Sequence, residues 1–131
     1  MRSGIGVWEP KKPVSVDEAL LRRLSHAMSE AVDNNLSSVL SREEVSSLAG
    51  LMKLPAGAWS PAQALDDAEL DALVRFFTLA EMQFTGWDGG KDSPVIPLVK
   101  ILKSRDAFGA DLRKWIKANS DNRFLPYGSA L

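Results

Sequence analysis

The chain is predicted to be all-α, a compact bundle of about five helices packed around a central apolar helix near residues 67–84. Three observations point there. Apolar residues recur every three to four positions along most of the chain, the period of one helix face. A capping residue followed three places later by glutamate recurs at Ser15/Glu18, Ser41/Glu44 and Asp66/Glu69, a pattern that satisfies the free N–H groups at a helix start. No stretch alternates apolar and polar residues over five positions as a half-buried strand would.

Residues 1–14 read as an arm, with two glycines, two prolines, adjacent lysines and Trp8 as the only large anchor. From the Ser15/Glu18 box, Leu20, Leu21, Leu24, Ala27, Met28, Ala31 and Val32 form one stripe to about residue 33. Asn34 and Asn35 then stop the helix, because asparagine tolerates the left-handed conformation at a helix end. Ser41/Glu44 opens a shorter helix that turns Val45, Leu48, Ala49 and Met52 inward. Ser60-Pro61 is another start signal, a capping hydroxyl followed by a proline where no N–H is needed.

The segment 67–84 carries Leu70, Leu73, Val74, Phe76, Phe77, Leu79, Ala80, Met82 and Phe84. From Leu73 on it is apolar on most sides, which predicts a helix surrounded by the others. Ser93-Pro94 starts the next, with Val95, Ile96, Leu98, Val99, Ile101 and Leu102 inward and Pro97 harmless in the first turn. Asp111–Lys117 forms the last, with Leu112, Trp115 and Ile116 inward. The chain thus divides into an arm (1–14), a helical domain (15–122) and an aromatic tail (123–131).

At 131 residues the chain is one domain, able to bury roughly two-thirds of its unfolded surface. With 45% hydrophobic and 25% charged residues it has the balance of a water-soluble globule that needs no disulfide or metal to fold. Cysteine is absent, which excludes disulfides, a thiolate nucleophile and cysteine-bound zinc. No apolar run reaches the ~18 to 20 residues that span a bilayer, and no secretory h-region opens the chain, so a cytoplasmic protein is expected. Charge is uneven: residues 41–90 hold three basic and eight acidic side chains, and residues 91–131 hold eight basic and four acidic. Attraction between the two halves accounts for this. With a net charge of −1 the chain has no long-range pull toward polyanions.

The stretch "GWDGGKDS", residues 86–93, invites a nucleotide-loop reading. A Walker loop needs four residues between its glycines and an adjacent Lys-Ser or Lys-Thr, and this stretch has neither. Gly89, Gly90, Lys91, Asp92 and Ser93 resemble the phosphate loop of ATP-pyrophosphatases. That resemblance implies a strand before the loop and a doubly wound sheet after it. Here Asp88 replaces the leading serine, a helix end precedes, and about 40 residues follow. A helix–helix connection accounts for every residue instead: the glycines turn the chain, Trp87 folds onto the core, and Asp92 or Ser93 caps the next helix. No nucleotide is expected.

Other candidate chemistry is sparse. His26 is the only histidine, so neither a two-histidine metal site nor a histidine triad can be assembled from this chain. Asp66, Asp67, Glu69 and Asp71 suit a helix start, where free N–H groups favour acids. Glu81 sits among apolar neighbours, where an unpaired carboxylate is costly, so an ion-pair partner is expected, Arg123 or another C-terminal cation. In the tail, Arg123, Phe124, Leu125 and Tyr127 are residue types that anchor protein interfaces. Lys100, Lys103, Arg113, Lys114 and Lys117 point outward from two successive helices and offer a helix-turn-helix alternative.

These features lead to a small non-catalytic interaction or regulatory protein whose partner is another protein or a second copy of itself. It is expected to use no cofactor, metal, catalytic group or membrane. The alternatives are a nucleic-acid-associated module using the five basic residues, and an enzyme built on Glu81 and the Asp88–Ser93 loop.

Overall fold

The computed structural model describes residues 15–128 and contains, among them, five α-helices and no strand. They are α1 (Glu18–Glu30), α2 (Arg42–Leu48), α3 (Asp67–Gln83), α4 (Val95–Ser104) and α5 (Ala110–Asn119). Short 3-10 segments lie between them at Leu36–Ser38, Ala49–Lys53, Ala56–Ala64 and Gly90–Asp92. Among the described residues no helix is long and apolar enough to cross a membrane. The expected arm, residues 1–14, and the last three residues lie outside the described part.

Helix α3 is the centre of the bundle. Helices α1, α4 and α5 all pack on it, and so does the turn at Leu36–Ser38. Leu70, Leu73, Val74 and every residue from Phe76 to Ala80 are buried, which is possible only for a helix enclosed on most sides. Around it the aromatics lock edge to face: Trp59 with Phe77 at 5.3 Å, Phe76 with Phe77 at 5.1 Å, and Phe84 with Trp87 at 5.2 Å. Arg75, midway along it, pairs with Asp71 at 2.6 Å and stacks on the Trp115 ring at 4.9 Å.

Two of the three expected capping boxes form, Ser41 with Glu44 and Asp66 with Glu69. The third does not. Asp17 caps α1 instead, accepting from the Leu20 N–H at 2.8 Å. The helix also ends at Glu30 rather than near residue 33. Asp33 and Asn34 take left-handed backbone, with φ of 51° and 61°, and reverse the chain. Val32, expected on the buried stripe, is consequently 63% exposed.

The stretch 49–64 also departs from regular α-helix. After α2 the chain tightens to three residues per turn, which brings Leu51 as well as Met52 into the core. Ser60-Pro61 lies inside the 3-10 segment Ala56–Ala64, so the proline sits within a tight helix rather than opening an α-helix.

Three long polar side chains fasten distant parts. Arg105, at the end of α4, donates to the carbonyls of Leu65 and Gln63, each at 2.8 Å, and to Asp67 at 3.0 Å. Gln83 accepts from the Leu36 N–H at 2.9 Å and donates to the Asn34 carbonyl at 2.7 Å, holding the α1 exit against the end of α3. Lys53 donates to the Asp88 carbonyl at 3.0 Å.

Candidate functional site

At the C-terminal end of α3 the chain must stop a buried helix, turn and start α4 within about a dozen residues. Phe84 leaves helical geometry, Gly86 takes φ +85° and Gly90 takes φ +56°, values that glycine adopts without the Cβ clash other residues meet. Gly89 is needed for a different reason: a Cβ there would lie 2.7 Å from the Ser93 Cα. Trp87 folds back fully buried and donates from Nε1 to the Val45 carbonyl at 3.0 Å. The segment entering the loop is α3, and no strand precedes it among the described residues.

Glu81 organises this corner. Its Oε1 accepts from the Gly89 N–H at 3.0 Å and from the Asn122 amide at 3.1 Å, and its Oε2 accepts from the Ser93 hydroxyl at 2.6 Å. Ser93 also accepts from the Val95 N–H at 3.2 Å, so this one residue links α3 to the first turn of α4. Asn122 donates to the Gly90 carbonyl at 2.9 Å and accepts from the Phe124 N–H at 2.9 Å, which pins the tail over the loop. A half-buried carboxylate is thus held by three neutral donors. The expected partner, Arg123, is not among them; its guanidinium stacks on the Phe124 ring at 5.0 Å. Neutral donors suffice because hydrogen bonds to an ionised acceptor are about twice as strong as neutral ones. The Gly89 amide, a backbone donor of this loop, is thus given to a carboxylate.

Above this network lies a groove of about 310 Å³, lined by Glu81, Met82, Asp88, Asn122, Arg123 and Phe124 among others. Met82, expected to face inward, is 49% exposed at its edge. Glu81 and Met82 are adjacent on the last turn of α3, so the polar floor and apolar rim of the groove come from one piece of helix.

The structure separates the four tail residues. Leu125 is 3% exposed and belongs to the core, so it meets a partner only if the tail lifts away. Arg123 and Phe124 line the groove. Tyr127, 52% exposed, lies against Phe108 with the Lys103 ammonium 4.5 Å from its ring centre.

The five basic residues are exposed and divide among three surroundings. Lys103 sits on Tyr127, Lys100 lines a hollow beside Trp59, and Arg113, Lys114 and Lys117 surround a shallow hollow on α5. Helices α4 and α5 pack chiefly on α3 rather than on each other, unlike the paired helices of a helix-turn-helix.

The acids at the start of α3 are each engaged. Asp66 and Glu69 form the capping box, Glu69 also pairs with Arg22 at 3.1 Å, Asp67 pairs with Arg105, and Asp71 with Arg75. His26 is exposed, 3.3 Å from Glu30.

Sequence reasoning singled out Glu81 but missed Ser93 and Asn122 as its holders, since neutral donors carry no charge signal. A cue existed for Asn122: it lies in the non-helical "SDN" run, where asparagine commonly ties its own backbone two residues on. No protein family, curated protein or solved structure matches the chain.

Proposed function

We propose that this chain is a non-catalytic interaction module that engages a partner protein through the groove between the end of α3 and the tail. The observation that carries this reading is Met82, a large apolar side chain half exposed beside Phe124 and Arg123 at a pre-formed groove. Methionine, aromatic residues and arginine are the types enriched where proteins meet, and an exposed apolar rim is costly to leave in water. The Glu81 network supports the same reading. It fixes the floor and both walls in advance, so little ordering entropy is lost on binding. It also accounts for the half-buried Glu81 carboxylate by structural hydrogen bonds, which supports a positioning rather than a reacting role.

The test is affinity capture from the native host with wild-type chain and with the Met82→Glu/Phe124→Ala variant, whose circular dichroism and melting temperature are checked first. A protein captured by the wild type and lost with the folded variant supports the groove. Wild-type self-association that the variant abolishes in sedimentation identifies a second copy as the partner. Identical capture and sedimentation for both chains contradict the reading.

A further inference from the structure

The groove at the end of α3 carries a charge imbalance that narrows the partner it fits. Three carboxylates line it, those of Glu81, Asp88 and Asp121, against one cation, Arg123, which leaves the lining at −2. Arg123 cancels none of them. Its guanidinium stacks on the Phe124 ring at 5.0 Å and forms no ion pair among the described residues. Asp88 and Asp121 are exposed and pair with no cation there either. Lys53 reaches Asp88 from outside the lining, but it donates to the backbone carbonyl at 3.0 Å and not to the carboxylate.

Glu81 adds a negative charge that does not move. Its three donors, the Gly89 amide, the Ser93 hydroxyl and the Asn122 amide, are neutral, so they fix the carboxylate without cancelling its charge. A carboxylate offers about four acceptor sites, and Oε2 here has a single donor. The apolar part of the lining is Met82, 49% exposed, beside the Phe124 ring. Complementary potentials favour the matching partner and repel a like-charged one, so an acidic segment is turned away here.

We propose that this groove recognises a segment of another protein that carries a lysine or arginine within a few residues of an aliphatic or aromatic side chain. The apolar side chain packs on Met82 and Phe124, and the cation is drawn to Glu81, Asp88 and Asp121. The assignment rests on the reading of the groove as this protein's interaction surface and adds the chemistry of the partner.

The test pans a random peptide library on the full chain, with counter-selection on Met82→Glu/Phe124→Ala. Peptides enriched on the parent alone should carry a basic residue within three positions of an apolar one and few acids. One such peptide, fluorescently labelled, is then titrated against the parent and against Asp88→Ser/Asp121→Ser, both changes at exposed positions. Loss of two exposed charge pairs should weaken binding about three- to tenfold at low salt, and added salt should narrow the difference. A version of the peptide with its cation replaced by norleucine should bind both chains alike. Groove-dependent peptides that are acidic or uncharged would overturn the partner chemistry while leaving the groove as the interaction surface. So would an unchanged affinity in Asp88→Ser/Asp121→Ser, or self-association in sedimentation that Met82→Glu/Phe124→Ala abolishes, which places a second copy in the groove. Enrichment that is the same on parent and counter-selection chain would overturn both readings together.

Discussion

Replacing Glu81 with alanine removes three hydrogen bonds at once and leaves their donors unequal. Asn122 can turn toward water at the groove. The Ser93 hydroxyl is fully buried and the Gly89 amide is buried beneath the loop, so neither finds a substitute easily. A buried donor left without an acceptor costs about 1–3 kcal/mol, which puts Glu81→Ala at about 2–4 kcal/mol. Glu81→Gln keeps an oxygen for Gly89 and Asn122 but loses the charge and sets an amide against the Ser93 hydroxyl. That hydroxyl can rotate to accept, so the cost falls to about 1–2 kcal/mol. Urea unfolding followed by circular dichroism reads both values. For a chain of this length the alanine variant should melt roughly 10 °C lower, the glutamine variant about half as far. A Glu81→Ala protein within about 0.5 kcal/mol of the parent would refute the view that this carboxylate ties α3, the loop and the tail together.

Other substitutions test neighbouring parts of the account. Gly89→Ala puts a Cβ against backbone at Ser93 and should cost about 2–3 kcal/mol in urea unfolding, while Gly57→Ala, with open space around it, should cost nothing measurable. Leu125→Ala should destabilise by about 2–4 kcal/mol at unchanged sedimentation, as a core residue does, whereas Tyr127→Ala should stay within about 1 kcal/mol. Arg105→Met loses three hydrogen bonds that hold α4 to the start of α3 and should cost about 1–3 kcal/mol, read as a fall in melting temperature. A gel shift at low salt should show no retarded duplex, since the five outward cations are spread over three surroundings; retardation lost in Arg113→Ala/Lys114→Ala/Lys117→Ala would favour the nucleic-acid alternative.

Features written into neighbouring residues were legible before the structure, and features made by distant ones were not. The capping boxes at Ser41/Glu44 and Asp66/Glu69 need only four consecutive residues, and the enclosure of α3 follows from apolar side chains on most of its faces. At the first helix the Ser15/Glu18 pattern was expected to cap; Asp17 caps instead, which moves the helix start by two residues. Residues 49–64 obscured their own geometry, because 3-10 turns carry a different period and glycine and proline interrupt it. The glycine loop was legible as a turn because three glycines and a following Ser-Pro are local signals. What holds that turn was not, since Asn122 reaches Glu81 from 41 residues away. Charge pattern favoured Arg123 as the holder, yet a carboxylate is satisfied equally well by an amide, a hydroxyl and a backbone N–H. Met82 reads as core by spacing alone. Its exposure follows from its place on the last turn of α3, where the helices around the centre no longer cover it.

The most direct test of the proposed role places a photo-crosslinking amino acid at Met82 and, in a second protein, at Val32, the other strongly exposed aliphatic position. Irradiated in the native host, the Met82 probe should give one discrete adduct with a partner or a second copy, and the Val32 probe none. A discrete adduct from Val32 with none from Met82 would contradict the assignment of the groove as the surface this protein works through.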